Sequence, residues 1–445
     1  MPADLPTTGR QHDREILRLA IPAFLALVAE PAFLLADSAI VGHLGTPQLA
    51  GLGIAAGVIG TVISLCIFLA YGTTASVARR IGAGDVRGAL AEGIDGIWLA
   101  IGIGLVATAV GATLTPWLVG LFGASPSVSH EAVVYLRIAF LGAVPLLVML
   151  AATGVLRGLQ DTRTPLVVAV VGNVANVLLN LVLVYGLFGL PALGIAGSAL
   201  GTLVAQVGSA AALGWVVVRA ATAYDAPLVP DLAGIRASGR AGVPLLLRTL
   251  TLRASLLIMT YGATSIGEQD LAAMQVAMTI WTFLAFTLDA IAIAAQAITG
   301  RYLGAGDVAG TRAVTQRMIR WGVGSGVVTG VVLAAVSPLL GPLFTSDDRV
   351  RSLLVPVLLV AALLQPLAGV VFVLDGVLIG AGDGKYLAWA GLAVLVAFAP
   401  CAWLAVASTT AGGSITALWI AFALAFMGGR GVVLLLRART DAWLT

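Results

Sequence analysis

Apolar runs of about twenty residues recur along nearly the whole chain, from Ile16 almost to Leu436. A helix of about 20 residues crosses the ~30 Å hydrocarbon core of a bilayer. Inside that core the backbone must satisfy its own hydrogen bonds, which restricts a spanning chain to helices or closed barrels. Charged residues make up only 10% of the chain, whereas soluble domains carry about 25%. We therefore predict an all-α integral membrane protein whose solvent is the lipid bilayer.

Hydropathy and loop residues divide the chain into twelve predicted transmembrane spans. They cover residues 16–42, 50–72, 92–120, 132–156, 164–188, 193–218, 241–264, 271–297, 313–340, 352–377, 386–408 and 414–436. An even number of spans places both termini on one side of the membrane. The first span is too long for a signal peptide and lacks an A-x-A cleavage site, so we expect it to be retained.

Basic residues are concentrated in alternate loops and at both termini. They are Arg10, Arg14, Arg79, Arg80, Arg87, Arg157, Arg163, Arg236, Arg240, Arg301, Arg312, Lys385, Arg437 and Arg439. Cytoplasmic loops carry the excess of Lys and Arg, which predicts a multi-pass protein of the cell membrane with both termini in the cytoplasm. The formal charge of +3 is scattered and forms no basic stripe, so no nucleic-acid partner is expected.

Residues that could form catalytic or metal centres are few and dispersed. Cys66 and Cys401 both lie in apolar spans, which excludes a disulfide framework and a CxxC motif. The three histidines, His12, His43 and His130, are far apart in the sequence. An enzyme would need clustered polar groups, so we expect no metal, no cofactor and no enzymatic activity.

The two halves of the chain are related by a constant shift of 222 residues. Arg80-Ile-Gly-Ala-Gly-Asp85 matches Tyr302-Leu-Gly-Ala-Gly-Asp307, and the same shift relates Leu49 to Leu271, Pro116 to Pro338 and Asp161 to Asp383. These Gly-Ala-Gly-Asp loops predict tight turns in which the aspartate caps the next helix.

Six spans in each repeat is an even number, so both repeats enter the membrane in the same sense, as in the parallel repeats of several secondary transporters. We predict an N-terminal six-helix lobe over residues 1–218, a cytoplasmic linker over 219–240 and a C-terminal six-helix lobe over 241–445.

Several segments resemble those of a known transporter family. They are Leu35-Ala-Asp-Ser-Ala-Ile-Val-Gly-His-Leu-Gly45, the Gly-Ala-Gly-Asp loops of both halves, Leu156-Arg-Gly-Leu-Gln-Asp-Thr-Arg-Thr-Pro165 and Gly194-Ile-Ala-Gly-Ser-Ala-Leu-Gly-Thr202. On these segments the chain resembles the multidrug and toxic compound extrusion (MATE) family, and within it the DNA-damage-inducible F branch. The resemblance implies a V-shaped, cofactor-free antiporter that exchanges lipophilic, often cationic, compounds for protons or sodium ions.

The resemblance also implies roles for individual residues. Asp37 matches the acidic residue of the family's first span, and Pro22 matches a proline whose bending accompanies transport. Asn176, Asn180 and Thr202 match polar positions of the fifth and sixth spans. Many relatives carry an aspartate where this chain has Asn180, which argues against a sodium site of two carboxylates and leaves Asp37 as the main titratable group.

Only four of the 21 acidic residues lie clearly within predicted spans, namely Glu30, Asp37, Asp289 and Asp375. A buried charge there is costly unless it is paired or protonated, so each residue is a functional candidate. Glu30 and Asp37 are seven residues apart and share one helix face, where we expect them to bind the coupling ion or proton. Alternatively, Asp37 hydrogen-bonds a neighbouring helix. Asp289 and Asp375 are either substrate contacts or satisfied structural carboxylates.

Three asparagines, Asn173, Asn176 and Asn180, are spaced three and four residues apart and line one face of the fifth span. Their counterparts at a shift of 222 are all apolar: Leu395, Phe398 and Ala402. We therefore expect the ion or proton site in the first half of the chain. The alternative use of these asparagines is hydrogen bonding between helices.

Thr202 and Gln206 lie one turn apart on the sixth span, where Gly197 and Gly201 predict close helix packing. Thr202 is a candidate for the ion site and Gln206 for a substrate contact, unless the Thr202 hydroxyl bonds its own helix backbone.

Arg248 and Arg253 lie early in the seventh span. They either snorkel to the interface or pair with a buried carboxylate such as Asp375, and the sequence does not decide between these uses.

The leading functional hypothesis is a secondary active antiporter that exports lipophilic, preferentially cationic, drugs or metabolites in exchange for protons. A sodium-coupled drug exporter is one alternative. A lipid-linked precursor flippase is another, although its cavity should hold several cations for phosphate, and only Arg248 and Arg253 are available. A membrane-embedded lipid-modifying enzyme is a less favoured alternative. The short loops favour a monomer.

Overall fold

The structure is a computed structural model that describes residue 5, residues 8–407 and residues 414–444. Over these residues the chain folds into helices joined by short connections. The helices are α1 (Gly9–Gly42), α2 (Thr46–Cys66), α3 (Phe68–Gly82), α4 (Val86–Gly120), α5 (Pro126–Leu141), α6 (Ala143–Gly158), α7 (Arg163–Tyr185), α8 (Ile195–Ala223), α9 (Leu232–Ile266), α10 (Glu268–Gly304), α11 (Val308–Phe344), α12 (Asp348–Gly380), α13 (Gly384–Ala407), α14 (Ile415–Ala421) and α15 (Gly429–Arg439). A π-helical segment, Phe422–Gly428, joins α14 to α15.

The twelve predicted spans correspond to helices of the described chain. Eleven helical stretches are long and apolar enough to cross a bilayer, and the bent pair α5–α6 makes twelve if it is one span. The prediction of an all-α membrane protein with about a dozen spans is confirmed. The predicted end of the eleventh span, residue 408, lies outside the described residues.

The bend between α5 and α6 measures 51° and is centred on Gly142. A Cβ atom at Gly142 would lie 2.4 Å from Oε1 of Gln206 and 3.0 Å from the carbonyl oxygen of Ala139. An added Cβ would therefore displace the Gln206 amide and crowd the Ala139 carbonyl. Gln206 of α8 is therefore packed against the bend.

The two Gly-Ala-Gly-Asp loops fold alike. Gly84 and Gly306 have φ angles of 78° and 72°, a region that favours glycine. Asp85 accepts a hydrogen bond from the backbone N–H of Gly88, and Asp307 accepts one from Gly310, each at 2.8 Å. The predicted helix caps are therefore present in both halves. The Gly88 N–H, followed by the Arg80 guanidinium, holds the pKa of Asp85 below its ordinary value.

The chain divides into two compact units. The first unit is Leu25–Gly242, and the second unit consists of the described residues of Met1–Phe24 together with Val243–Thr445. These units differ from the predicted lobes at two places. The residues before Leu25 group with the second unit, and the predicted linker 219–240 groups with the first. Helices α1 and α9 each continue from one unit into the other.

The first turns of α1 are fastened to α10 and α11 within the second unit. Asp13 accepts hydrogen bonds from Nε of Arg317 at 2.6 Å and from Nε1 of Trp321 at 2.7 Å. Glu15 forms a mostly buried ion pair with Arg301. These contacts explain why the start of the chain groups with residues more than 220 positions later.

The connection between α8 and α9 is held along α4 within the first unit. Arg87 Nε and Trp98 Nε1 donate to backbone carbonyl oxygens of this connection, at 2.9 and 3.0 Å. Asp95 Oδ1 accepts from the backbone N–H of Asp231 at 3.0 Å. The predicted linker is thus fixed to its own unit by three side chains.

Candidate functional site

Asp37 lies near the end of α1 and is the centre of a buried polar cluster in the first unit. Its side chain is only 4% exposed. Oδ1 accepts hydrogen bonds from Nδ2 of Asn180 and from Oγ of Ser198, both at 2.7 Å. These bonds join α1 to α7 and α8. No cationic side chain of the described residues acts on Asp37.

Two glycines of α8 make this geometry possible. A Cβ atom at Gly197 would lie 2.6 Å from the carbonyl of Leu183, and one at Gly201 would lie 2.1 Å from Oδ1 of Asn180. The backbone of α8 therefore rests directly on α7, as the small-residue spacing predicted. This contact brings Ser198 and Asn180 to the same carboxylate.

One turn further, Nδ2 of Asn176 donates to Oγ1 of Thr202 at 3.0 Å. The buried hydroxyl of Tyr135, from α5, lies beside the hydroxyls of Ser198 and Thr202. We call Asp37, Tyr135, Asn176, Asn180, Ser198 and Thr202 the Asp37 cluster.

Two amide oxygens of the Asp37 cluster have unused accepting capacity. Oδ1 of Asn176 and Oδ1 of Asn180 are buried and accept no hydrogen bond from the described residues. Buried acceptors are normally satisfied, so these oxygens and the Asp37 carboxylate form a set of acceptors that a proton or a small cation can use. No group of three or more metal-ligating side chains occurs in the described part of the chain.

Other predicted residues of the first half lie outside the Asp37 cluster. Glu30 has an exposed side chain and forms no hydrogen bond or ion pair with the described residues. Asn173 donates to the carbonyl oxygen of Ala29 at 3.5 Å, the limit for a hydrogen bond. Gln206 packs at the α5–α6 bend. Pro22 is buried in the continuous helix α1, two residues before its last residue in the second unit.

Sequence reasoning missed Tyr135 and Ser198. Ser198 precedes Thr202 by four residues and therefore shares its helix face, a signal that was present in the sequence. Tyr135 carried no comparable signal, because its hydroxyl reaches the site from a different helix.

A buried carboxylate of the second unit, Asp375, is satisfied in a different way. Arg248 donates from Nε to Oδ1 at 3.0 Å and also forms an ion pair with Oδ2. Nη2 of Arg430 lies 3.3 Å from Oδ1 of the same carboxylate. The structure therefore pairs Arg248 with Asp375, whereas Arg253 is exposed. Arg430 was not recognised in the sequence as a partner.

Comparison with known proteins identifies the family. The MatE family model matches residues 22–182 and 244–404, two segments that differ by the 222-residue shift of the internal repeat. The chain belongs to the MatE family. The matched segments begin at Pro22 and Pro244 and together cover more than half of the protein.

The MatE assignment agrees with full-length similarity to curated proteins. The chain is 31% identical to the chloroplastic protein DETOXIFICATION 44 of Arabidopsis thaliana, over 96% of this chain and 83% of that protein. It is 29% identical to DNA damage-inducible protein F of Escherichia coli, over 92% of each. It is also 29% identical to a probable multidrug resistance protein NorM of Pseudomonas putida, over 92% of this chain and 91% of that protein.

Solved structures share the MatE fold. A MOP superfamily transporter from Pyrococcus furiosus superposes with a TM-score of 0.88 at 24% identity, covering 99% of this chain and 100% of that one. An outward-facing multidrug resistance MATE transporter gives a TM-score of 0.87 at 23% identity, covering 99% of each chain. These structures show the fold, and the family match together with the curated relatives makes the protein a multi-pass MATE efflux transporter and not an enzyme.

Proposed function

We propose that the protein is a proton-driven exporter of lipophilic cations in the cell membrane, and that Asp37 carries the coupling proton. The main support is the setting of Asp37, which is buried and hydrogen-bonded to two neutral donors. A carboxylate satisfied by neutral dipoles can take up a proton without leaving an unpaired cation behind.

Protonation of Asp37 changes the bonds that join three helices. The carboxylate accepts from Asn180 on α7 and Ser198 on α8, and charge-assisted bonds of this kind are about twice as strong as neutral ones. The neutral acid is a weaker acceptor and gains an O–H donor. Proton uptake therefore loosens the hold of α7 and α8 on α1. Pro22, whose ring removes a backbone hydrogen bond, is the proposed point of bending in α1.

We propose that the Glu30 carboxylate contacts the substrate. It lies seven residues before Asp37, about 10 Å along the helix axis at 1.5 Å per residue. Its exposed carboxylate has no partner among the described residues, so it is available to a cationic group. The two acidic residues of α1 would then have separate tasks, proton binding for Asp37 and cation recognition for Glu30.

The preferred charge of the substrate is inferred from the charged side chains that are already engaged in ion pairs. The Pyrococcus furiosus transporter is described as having a binding pocket of reversed polarity that suggests a different function. In this chain Arg248 is engaged with Asp375, which removes a cation that a phosphate-bearing substrate would need. We therefore propose cationic substrates in preference to lipid-linked phosphates. We further propose that the protein is a monomer with both termini in the cytoplasm.

The decisive experiment measures efflux of a fluorescent lipophilic cation from vesicles under an imposed pH gradient. We expect Asp37→Asn to bind the cation but to lose the response to the gradient, because an amide cannot exchange the proton. Asp348→Asn is the matched control, since its side chain is 94% exposed. Undiminished pH-driven efflux by Asp37→Asn would contradict the proposal.

Sodium coupling is the second candidate, and the unused amide oxygens of Asn176 and Asn180 favour it. Oxygen atoms are the ligands that hard cations prefer. The same vesicles can carry a sodium gradient at equal pH on both sides. Efflux driven by that gradient would support sodium coupling and would replace the proton proposal.

A further inference from the structure

Four charged side chains from four different helices interact electrostatically inside the second unit. They are Arg248 on α9, Asp289 on α10, Asp375 on α12 and Arg430 on α15. The guanidinium of Arg248 contacts both carboxylate oxygens of Asp375, and Nη2 of Arg430 lies 3.3 Å from Oδ1 of the same carboxylate. Asp289 in turn acts on the charge of Arg430. We call these residues the second-unit charge network, and their formal charges cancel.

The three residues joined by ion pairs are almost completely enclosed. The side chains of Arg248, Asp375 and Arg430 are 11%, 10% and 12% exposed. Buried charges persist when they are paired and hydrogen-bonded. Asp375 meets both conditions, because a guanidinium that contacts both carboxylate oxygens forms the strongest type of pair.

Local backbone geometry supports the position of Arg430. The π-helical segment Phe422–Gly428 ends two residues before it, and such segments often occur at functional positions. The rings of Phe422 and Phe426 stack at 5.0 Å, and the guanidinium of Arg430 lies 5.8 Å from the Phe426 ring. Arg430 thus lies close to the Phe426 ring and to the Asp375 carboxylate, and Asp289 interacts with its charge.

A narrow cleft leads to the network within the second unit. It is lined by Arg248, Asp375 and Arg430 and by apolar side chains that include Leu252, Leu387 and Val433. An ion that entered this cleft would find the carboxylate of Asp375 already bound by two guanidinium groups.

We infer that Arg248 and Arg430 keep Asp289 and Asp375 as permanently charged counter-ions, so that the second unit binds no coupling ion and coupling is confined to the first unit. The inference rests on the proposed proton-driven export. Arg430 is then a residue that sets the ion stoichiometry of transport, although it contacts neither the proton carrier nor the substrate.

Charge balance provides the test. Arg430→Met and Asp289→Asn each leave an uncompensated charge, whereas the double variant Arg430→Met/Asp289→Asn restores neutrality and keeps the Arg248–Asp375 pair. Arg430→Lys is the charge-conserving control. The readouts are the melting temperature in detergent and the number of protons exchanged for each lipophilic cation in vesicles.

We expect both single variants to melt at lower temperature and Arg430→Met to exchange an additional proton for each cation. The double variant and Arg430→Lys should recover the proton count and most of the melting temperature of the unmodified protein. A double variant that fails to fold, or that is as defective as the worse single variant, would overturn the inference.

The two proposals fail in distinguishable ways. If the unmodified protein exchanges no proton, the proposed coupling is wrong, but recovery of the melting temperature in the double variant still tests the network. If Asp37→Asn abolishes coupling and the double variant does not recover, the network inference alone is wrong.

Discussion

Asp37 and Asp375 are both buried carboxylates on membrane-spanning helices, yet their partners are opposite in kind. Asp37 is held by the neutral side chains of Asn180 and Ser198, whereas Asp375 is held by the guanidinium groups of Arg248 and Arg430. Neutral partners permit a change of charge, and cationic partners oppose it. This contrast in partners is the basis of the proposals that Asp37 changes its protonation state and that Asp375 stays ionised.

The difference lies in side chains rather than in the backbone, because the two halves are repeats of one another. At a shift of 222 residues, Asp37, Asn176 and Asn180 are replaced by Met259, Phe398 and Ala402. In the reverse direction, Asp289 and Asp375 are replaced by Ile67 and Thr153. Each repeat therefore carries carboxylates at positions where the other repeat has a neutral side chain, so a duplicated fold contains two chemically distinct centres.

The largest expected effect is a difference in the loss of folding stability when Asp37 or Asp375 is replaced by asparagine. Asp375→Asn leaves the buried Arg248 guanidinium without its carboxylate partner and one positive charge of the network uncompensated, and should destabilise the protein by about 3–5 kcal/mol. Asp37→Asn keeps an acceptor for Asn180 and Ser198 and should cost about 1 kcal/mol or less. Thermal or denaturant unfolding of both variants in detergent measures the difference. Equal destabilisation would remove the distinction between neutral and cationic partners.

A smaller effect is expected where α8 rests on α7. Gly201→Ala places a Cβ atom 2.1 Å from Oδ1 of Asn180, which must move away from Asp37, at a cost of about 1–3 kcal/mol for overpacking. The matched control is Gly208→Ala on the same helix, where no atom lies within 4 Å of the added carbon. We expect only Gly201→Ala to lower both stability and proton-driven efflux. Similar results for the two variants would show that this contact does not position Asn180.

The smallest effect concerns a feature that both repeats share. Asp85→Ala and Asp307→Ala each remove one helix cap and should each cost about 0.5–1 kcal/mol. The pKa of Asp85 lies below its ordinary value of 3.8 because the Gly88 N–H stabilises the carboxylate. Its contribution is therefore present above the pKa of the unfolded chain and is lost as the pH falls through the lowered pKa. Unfolding of Asp85→Ala followed from neutral to acidic pH should show the difference from the unmodified protein shrink.

Much of the fold could be predicted because its signals are local or periodic. Apolar length fixed the number of spans, and the repeated loops fixed the shift of 222 residues. The crossing of α1 and α9 between units was not predictable in the same way. It depends on contacts such as Asp13 with Arg317, and nothing near residue 13 in the sequence indicates a partner 304 positions away.

The candidate site was predicted in part. Asp37, Asn176, Asn180 and Thr202 were all named from the sequence, and the structure brings them together. Their partners depend on tertiary contacts, so Tyr135 was missed. Arg430 was missed because an arginine near the end of a final apolar span has the same appearance as a topology signal.

The contacts that fasten the first turns of α1 to α10 and α11 have a consequence for the synthesis of the protein on the ribosome. Glu15 pairs with Arg301, 286 residues later in the chain. At about 5–20 residues per second, the beginning of the chain waits roughly 15–60 s for its partner to be synthesised. During that time Asp13 and Glu15 must remain available and avoid other partners. Folding of the second unit therefore requires the first turns of α1 to join helices that are synthesised much later.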